Sequence, residues 1–459
     1  MRSGMDVARI NFSHGTLDQH ERNIGNIRKV SAELDRVVAI LQDLQGPRVR
    51  VGDLKRPEIP LASGSRVILT ASPTPNGDEE LPILGADLSK DVRPGDRILI
   101  EEGLIELRVE DVVGAAVRCR VLAGGMLRPH KGINVPGVTL GIPSITDKDR
   151  VDLDFGIRKG VDFVALSFVR SAGDILAARD LIAKAGARIP LIAKIEKHEA
   201  VDAFDSILGE ADGVMVARGD LGVEIRLEEV PVVQKRIIKK CNEAGKPVIT
   251  ATQMLNSMIE NPRPTRAEVS DVANAIFDGT DAVMLSGETA IGKYPEESAQ
   301  TMARIAVETE EALPYGGFMS HLWQPGSTSP TDSISRATAR IASELGARAI
   351  VTMTESGFTA RMVAKHRPHT PILAVTPHES TRKQLALTWG VQSRLLDQYR
   401  DSDELIAAAV KVALDAGAAV EGDRIVITGG IPLGIRGRTN FLKVHTLGEP
   451  VQLPRDGGA

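Results

Sequence analysis

At 459 residues, 42% of them hydrophobic, the chain is too long for one ordinary domain and has enough apolar content to bury a core in each of roughly two to four. Its net charge of −5, without any Lys/Arg-rich tract, offers no electrostatic footprint for nucleic acid or an anionic membrane, so a small-molecule substrate is expected. The two cysteines, Cys119 and Cys241, show no CxxC spacing, which argues against a disulfide framework or structural zinc, and no apolar run or signal pattern points to a membrane; a cytoplasmic protein is the expectation.

In chain order, short apolar runs ending in polar residues open the sequence as DVARINFSHG and RVVAILQD. From 46 to 142 the rhythm changes to brief β-type runs between turn signals, SGSRVILT, RPGDRILIEEG, LIELRVED and AAVRCRVLAG, which mark an inserted small β-barrel domain. The first rhythm then resumes as DFVALSFVR, PLIAKIE, DGVMVARGD, KPVITATQ and DAVMLSGET, with helical stretches such as LEEVPVVQKRIIKKCNEAG between the runs. Continuous apolarity suits strands buried on both faces, and βα alternation implies parallel strands closing as an α/β (β/α)8 TIM barrel over 1–45 and 143–314. Seven strands are countable. MRSG reads as the tail of a helix with its glycine stop, so a βα unit is expected to be absent upstream, leaving two unpaired edges and making the chain a fragment or a misassigned start. PYGGFMSHLWQPGSTSP reads as a linker. Within 315–459 the runs ARAIVTMT, PILAVTP, QSRLLD and DRIVITGG alternate with helices starting near Thr331, Gly357 and Asp401, giving a smaller C-terminal α/β domain.

Active sites of such barrels are built at the C-terminal ends of the strands. There stand Arg9, Asn11 and Ser13, then Asp43, Ser167, Lys194 with Glu196, Arg218 with Asp220, Thr252, and Ser286 with Glu288. Glu196 and Asp220 fall on consecutive strands roughly 4.8 Å apart, so their carboxylates can share one hard divalent cation. Arg9 and Lys194 add positive charge beside it, a combination suited to a phosphate or phospho-carboxylate; the plainer alternative is a set of salt bridges capping strand ends. The strand carrying Lys194 is expected to break near Ile195. Gly219 and Gly222 around Asp220 suggest a nest of amides for a carboxylate, or an ordinary turn. Thr265 and Glu268 read as a structural capping box, while His366 and His369, which straddle Pro368, read as surface residues.

The blocks ARINFSHG, KGINVPG, AKIEKHEAV, MVARGDLGVEI, VITATQMLNSMIENPRPTRAEVSDVANAIFDGTDAVMLSGETA and YPEES resemble pyruvate kinase along nearly the whole chain, the long fifth block most specifically. The resemblance implies a barrel, a mobile β-domain inserted as a lid, a C-terminal regulatory domain and a homotetramer. It implies phosphoryl transfer from phosphoenolpyruvate to ADP, giving pyruvate and ATP at the last step of glycolysis. By matching positions, Glu196 and Asp220 would hold Mg²⁺ or Mn²⁺, and Lys194 would stabilise the transferring group and the enolate. Arg9 would grip the phosphoryl oxygens, Thr252 with the Gly219 and Asp220 amides would hold the carboxylate, and Phe168 would line the pocket. Arg50, Lys131 and His14 would meet the nucleotide when the lid closes. Thr252, or a water held by Ser286 and Glu288, would protonate the enolate. Thr354, Ser356 and Gly357 match a loop that takes the phosphate of an activating metabolite, although the downstream GIPLGIRGRTN does not identify which; a plain helix N-cap is the alternative.

Two departures from the family pattern stand out. The usual first strand and its phosphate-facing loop have no counterpart, and Arg48 in DLQGPRVRVG replaces the commoner glutamate. Many relatives bind K⁺ through residues matching Asn11, Ser13, Asp43 and Leu44. A guanidinium at Arg48 reverses the local sign, and the Leu44-Gln45 pair resembles relatives that work without K⁺, so no K⁺ requirement is expected. The rival readings are a metal-dependent phosphoenolpyruvate- or oxaloacetate-type lyase, which would not need Arg50, Lys131 or the lid, and a truncated inactive binding protein.

Overall fold

The computed structural model describes residues 1–72, 77, 79–313, 315, 329–396, 402–431 and 437–450. β1 (Val7–Asn11) and β2 (Ala39–Asp43) pair in parallel across the helix Leu17–Glu33, which begins with a reciprocal cap between Thr16 and Gln19. The chain then departs through β3 (Val49–Val51), β4 (Ile59–Leu61), β5 (Arg66–Thr70), β6 (Glu80–Leu84), β7 (Arg97–Ile100), β8 (Ile105–Val113), β9 (Ala116–Ala123), β10 (Gly125–Leu127) and β11 (Gly132–Asn134). Seven of these close a small barrel in the order β11-β3-β6-β5-β9-β8-β7, while β4 and β10 form a separate antiparallel pair. Period-two patterning builds it: β9 buries Val117, Cys119 and Val121 and turns Arg118 and Arg120 to solvent.

Five further strands extend the first sheet: β12 (Phe163–Leu166), β13 (Leu191–Ile195), β14 (Gly213–Ala217), β15 (Val248–Ala251) and β16 (Ala282–Val283). The order β1-β2-β12-β13-β14-β15-β16 is parallel throughout. Every residue of β2 and of β12 through β15 is buried, as runs covered on both faces require. Among the described residues β1 and β16 do not pair with each other, so seven strands form an open barrel. A cavity of 1560 Å³ lies along that gap, lined by Val7, Val283, Met302, Leu387 and Trp389 among others. Met1 to Gly4 form a turn closed by a 3.1 Å Gly4 N–H to Met1 C=O bond rather than the helix tail expected, with Gly4 at φ +105°.

The C-terminal sheet has the order β19-β18-β17-β20-β21, with only the last pair antiparallel. Its strands are β17 (Ala349–Met353), β18 (Ile372–Thr376), β19 (Val391–Leu395), β20 (Arg424–Gly429) and β21 (Phe441–Thr446). Helices Pro330–Glu344, Phe358–Ala364 and Ser402–Asp415 begin next to the positions expected; the short helix Glu379–Gln384 and edge strand β21 were not expected. Most of the linker and positions 432–436 of the glycine-rich loop fall outside the described residues.

Arg367 joins this domain to the barrel. Its guanidinium donates from Nη1 to Asp281 Oδ1 (2.9 Å) and from Nη2 to Asn242 Oδ1 (3.0 Å) and the Gly279 carbonyl (2.5 Å). The Trp389 ring covers it with a centroid distance of 5.0 Å. The same turn corrects the reading of His366 as a surface residue. With Arg367 left-handed at φ +46°, the chain folds inward before Pro368 and buries His366 near Asp332, whereas His369 stays exposed.

Candidate active site

The strand ends converge on one buried cation. Lys194 Nζ lies 2.9 Å from Glu196 Oε1 and 3.2 Å from Asp43 Oδ1, and it donates to Ser167 Oγ at 2.6 Å. Arg9, on the neighbouring β1, donates to Asp43 Oδ2 from Nε at 2.8 Å and from Nη2 at 2.6 Å. Asp43, Lys194 and Glu196 are all buried. β13 stops at Ile195, where the break was expected, and Glu196 is the first residue beyond it. Glu196 Oε2 accepts the Phe168 amide at 2.7 Å, an approach made through a left-handed Phe168 (φ +55°).

Charges decide the protonation states here. Burial alone would push the Lys194 ammonium down, but Asp43 and Glu196 outweigh it and hold the group above its ordinary value, so it stays a cation. Burial likewise acts to raise the Asp43 carboxyl, yet Lys194 and Arg9 keep it below the usual range. Glu196 moves the other way: burial raises it, Lys194 only partly compensates, and the Asp220 charge raises it further. Two carboxylates that repel each other, one with a buried Oε1 held by the Lys194 ammonium at 2.9 Å, suit a hard divalent cation completed by water and substrate oxygens. No cluster of three or more His, Cys, Asp or Glu side chains that could hold a metal ion exists among the described residues.

A cleft of 760 Å³ opens over Asp220, Gly219, Phe168, Thr252, Ser286 and Glu288, faced from the inserted barrel by Lys131, Glu101 and Arg48. Of the eight non-glycine residues with positive φ among those described, five line it: Glu101, Glu102, Phe168, Thr252 and Gln253. Each left-handed non-glycine residue stores on the order of 1–3 kcal/mol, and such strain concentrates where side chains are aimed at a ligand. Thr252 Oγ1 accepts the Gly219 amide at 2.8 Å and donates to the Ala251 carbonyl at 2.6 Å. The Gly219 amide is therefore committed to Thr252. Arg218 fixes this turn from behind, bonding Asp271 with both Nη atoms (2.7 and 2.8 Å) and the Thr252 carbonyl at 2.7 Å. Glu288 spends its two oxygens on the Leu255 amide (3.0 Å) and the Ser286 amide (2.8 Å).

Other anticipated residues lie apart. Arg50, on β3, and the exposed His14 do not line the cleft. Asn11 Oδ1 accepts the Ser13 amide at 3.0 Å, and the Leu44 carbonyl accepts Ser167 Oγ at 2.7 Å, so these groups hold the strand ends together beside Asp43. Thr354, Ser356 and Gly357 sit together ahead of the helix Phe358–Ala364, with Arg361 Nη1 donating to the Ser356 carbonyl at 3.2 Å. Thr265 and Glu268 form the capping box expected. The bonds by which Ser167 joins Lys194 to Leu44 have no signal in the sequence beyond its place at a strand end. Lys197 and Glu224, paired at 2.7 Å beside the cleft, carry no distinguishing signal in the sequence.

An open parallel barrel that carries a buried lysine among carboxylates, under an inserted cover domain, has the build of an enzyme that handles a charged small substrate away from water. The family described as "Pyruvate kinase, barrel domain" matches residues 1–299, and "Pyruvate kinase, alpha/beta domain" matches 332–445. A pyruvate kinase of Geobacillus stearothermophilus is 50% identical over 452 residues, covering 98% of this chain and 77% of that protein. One from Staphylococcus aureus is 47% identical over 453 residues, with the same coverage of 98% and 77%. The crystal structure of a pyruvate kinase from Cryptosporidium parvum superposes with a TM-score of 0.92 at 37% identity, covering 97% of this chain and 91% of that one. The protein is a phosphotransferase by class. It belongs to the pyruvate kinase family.

Proposed function

We propose that the cleft transfers the phosphoryl group of phosphoenolpyruvate to ADP and then protonates the enolate, yielding pyruvate and ATP. The observation that carries this reading is Lys194: a buried ammonium kept charged by Asp43 and Glu196, fixed at 2.6 Å to Ser167, and so preorganised for developing negative charge. Glu196 and Asp220 would hold Mg²⁺ or Mn²⁺, which supplies positive charge to the phosphoryl and enolate oxygens. Without it the two cations Arg9 and Lys194 face the three carboxylates Asp43, Glu196 and Asp220, a net charge of −1 that repels an anionic substrate.

Arg9 uses Nε and Nη2 on Asp43 and keeps Nη1 for the phosphoryl oxygens. Thr252, braced by Gly219, orients the substrate carboxylate, together with the Asp220 amide. To serve as proton donor Thr252 must give up its bond to the Ala251 carbonyl. Glu288 is tied to two amides and shapes the Ser286 turn, leaving Ser286 to hold a water. Lys131 and Arg48 face the cleft from the lid side and would meet the ADP phosphates, with Arg50 and His14 arriving only on lid closure. Asp43 is already neutralised by Arg9 and Lys194, and Arg48 lies 5.8 Å from the Phe168 ring centroid; these fixed cations would take over the part of K⁺. Thr354, Ser356 and Gly357 would take a phosphorylated effector, and the assembly would be a cytoplasmic homotetramer. A coupled assay tests the reading: pyruvate must form only with ADP and a divalent cation, and pyruvate released without ADP rejects it.

A further inference from the structure

The return stem of the lid is tied to the barrel by charged groups that the reaction does not use. Asn134, the last residue of β11, donates Nδ2 to Glu224 Oε1 at 2.9 Å, and Lys197 Nζ donates to the same oxygen at 2.7 Å. The Glu224 side chain is 0% exposed, and its Oε2 makes no hydrogen bond, with His198 Nδ1 at 3.9 Å. Farther along the stem, Thr139 Oγ1 donates to Glu199 Oε1 at 3.0 Å, and Arg170 donates to the Leu140 and Ile142 carbonyls at 2.7 and 2.9 Å. The outgoing stem is held differently, through the Gly46 amide to Asp149 Oδ1 at 3.0 Å.

Placement gives the contact its meaning. Glu224 ends the short helix Arg218–Glu224 that carries Asp220 one turn earlier, and Lys197 directly follows Glu196. Asn134 stands three positions after Lys131. The pieces of chain that present the carboxylates proposed to hold the metal therefore also grip the stem that carries the lid lysine.

We infer that Asn134, Glu224 and Lys197 form a latch that seats the return stem on the barrel, acting as positioning residues for Lys131. An ionised carboxylate is buried at high cost unless paired, so loss of Lys197 leaves an uncompensated charge under the stem, while loss of Asn134 removes the bond that ties the stem to that pair. Lys197 and Glu199 also line the cleft, which exposes the latch to the charge of whatever enters. The effect on substrate rests on the nucleotide role proposed for Lys131; the latch itself does not.

Spin labels on cysteines introduced at the exposed Arg118 in the lid and Asp180 on the barrel report the lid–barrel distance in the full chain without ligands. The native Cys119 and Cys241 are buried, with their thiols pushed up by burial and unreactive. Asn134→Ala and Lys197→Met should each broaden the narrow wild-type distribution, and Lys197→Arg should restore it. The KM for ADP should rise about tenfold, the equivalent of one hydrogen bond to a charged group, while the KM for phosphoenolpyruvate moves less than about twofold. Unchanged distributions in both Asn134→Ala and Lys197→Met overturn the latch. Broadened distributions with an unchanged KM for ADP support the latch and refute the role of Lys131 instead.

Discussion

Replacing Arg367 with methionine should loosen the C-terminal domain from the barrel without touching the cleft. Arg367 is 2% exposed and its partner Asp281 is 8% exposed at the side chain, so the pair is fully desolvated. After the substitution the Asp281 carboxylate keeps, among the described residues, the Val248 amide at 3.0 Å and the Trp389 amide at 3.4 Å. Removing one member of a buried pair costs about 3–5 kcal/mol because the other is left as an unpaired charge. Methionine does not relieve the left-handed backbone at this position. For domains of this size the loss converts to a fall of about 6–20 °C in the calorimetric midpoint. Calorimetry should show a C-terminal transition separating from the barrel's and moving down. Adding Asp281→Leu should recover much of it, since an apolar replacement of both partners is close to neutral. A midpoint equal to wild type in Arg367→Met, or a double variant no better than the single one, refutes this reasoning.

Other substitutions probe the site and the pH response. Lys194→Met should lower turnover by about 10²-fold or more while phosphoenolpyruvate binding stays measurable by calorimetric titration; near-normal turnover sinks the preorganised-cation argument. Wild-type activity should persist when K⁺ is replaced by a large inert cation, and Arg48→Glu should acquire K⁺ dependence; a wild type that collapses without K⁺ removes the charge-substitution reading. Burial, helped by Lys365, pushes the His366 imidazole down to about 4. The unfolded chain takes up that proton near pH 6.5, so the stability contributed is whole above that pH. It is lost as pH falls toward 4, amounting to about 3 kcal/mol. In urea titrations His366→Asn should therefore lose less stability between pH 7 and pH 4.5 than wild type does, and equal losses reject the assignment.

Strands and their ends were legible in the sequence because their cause is local. An apolar run covered on both faces must be a buried parallel strand, and a charge at its end must sit at the rim, as Asp43, Lys194 and Asp220 do. Partners were not legible, because they lie far along the chain: Lys197 meets Glu224 27 positions on, and Asn134 meets it across 90. Three glutamates near strand ends show the difficulty. Glu196, Glu224 and Glu288 are all buried, and in the sequence each is simply an acid after an apolar run. Glu288 folds back onto two amides and becomes part of the turn. Glu224 takes Lys197 and Asn134, and its remaining oxygen faces a histidine. Glu196, like Glu224, keeps one oxygen without a hydrogen bond, but it differs in having a second carboxylate, Asp220, that raises its proton affinity. Like charge held beside a buried carboxylate is relieved by a proton or by an added cation, and this separates Glu196, the glutamate proposed to hold the metal, from the other two.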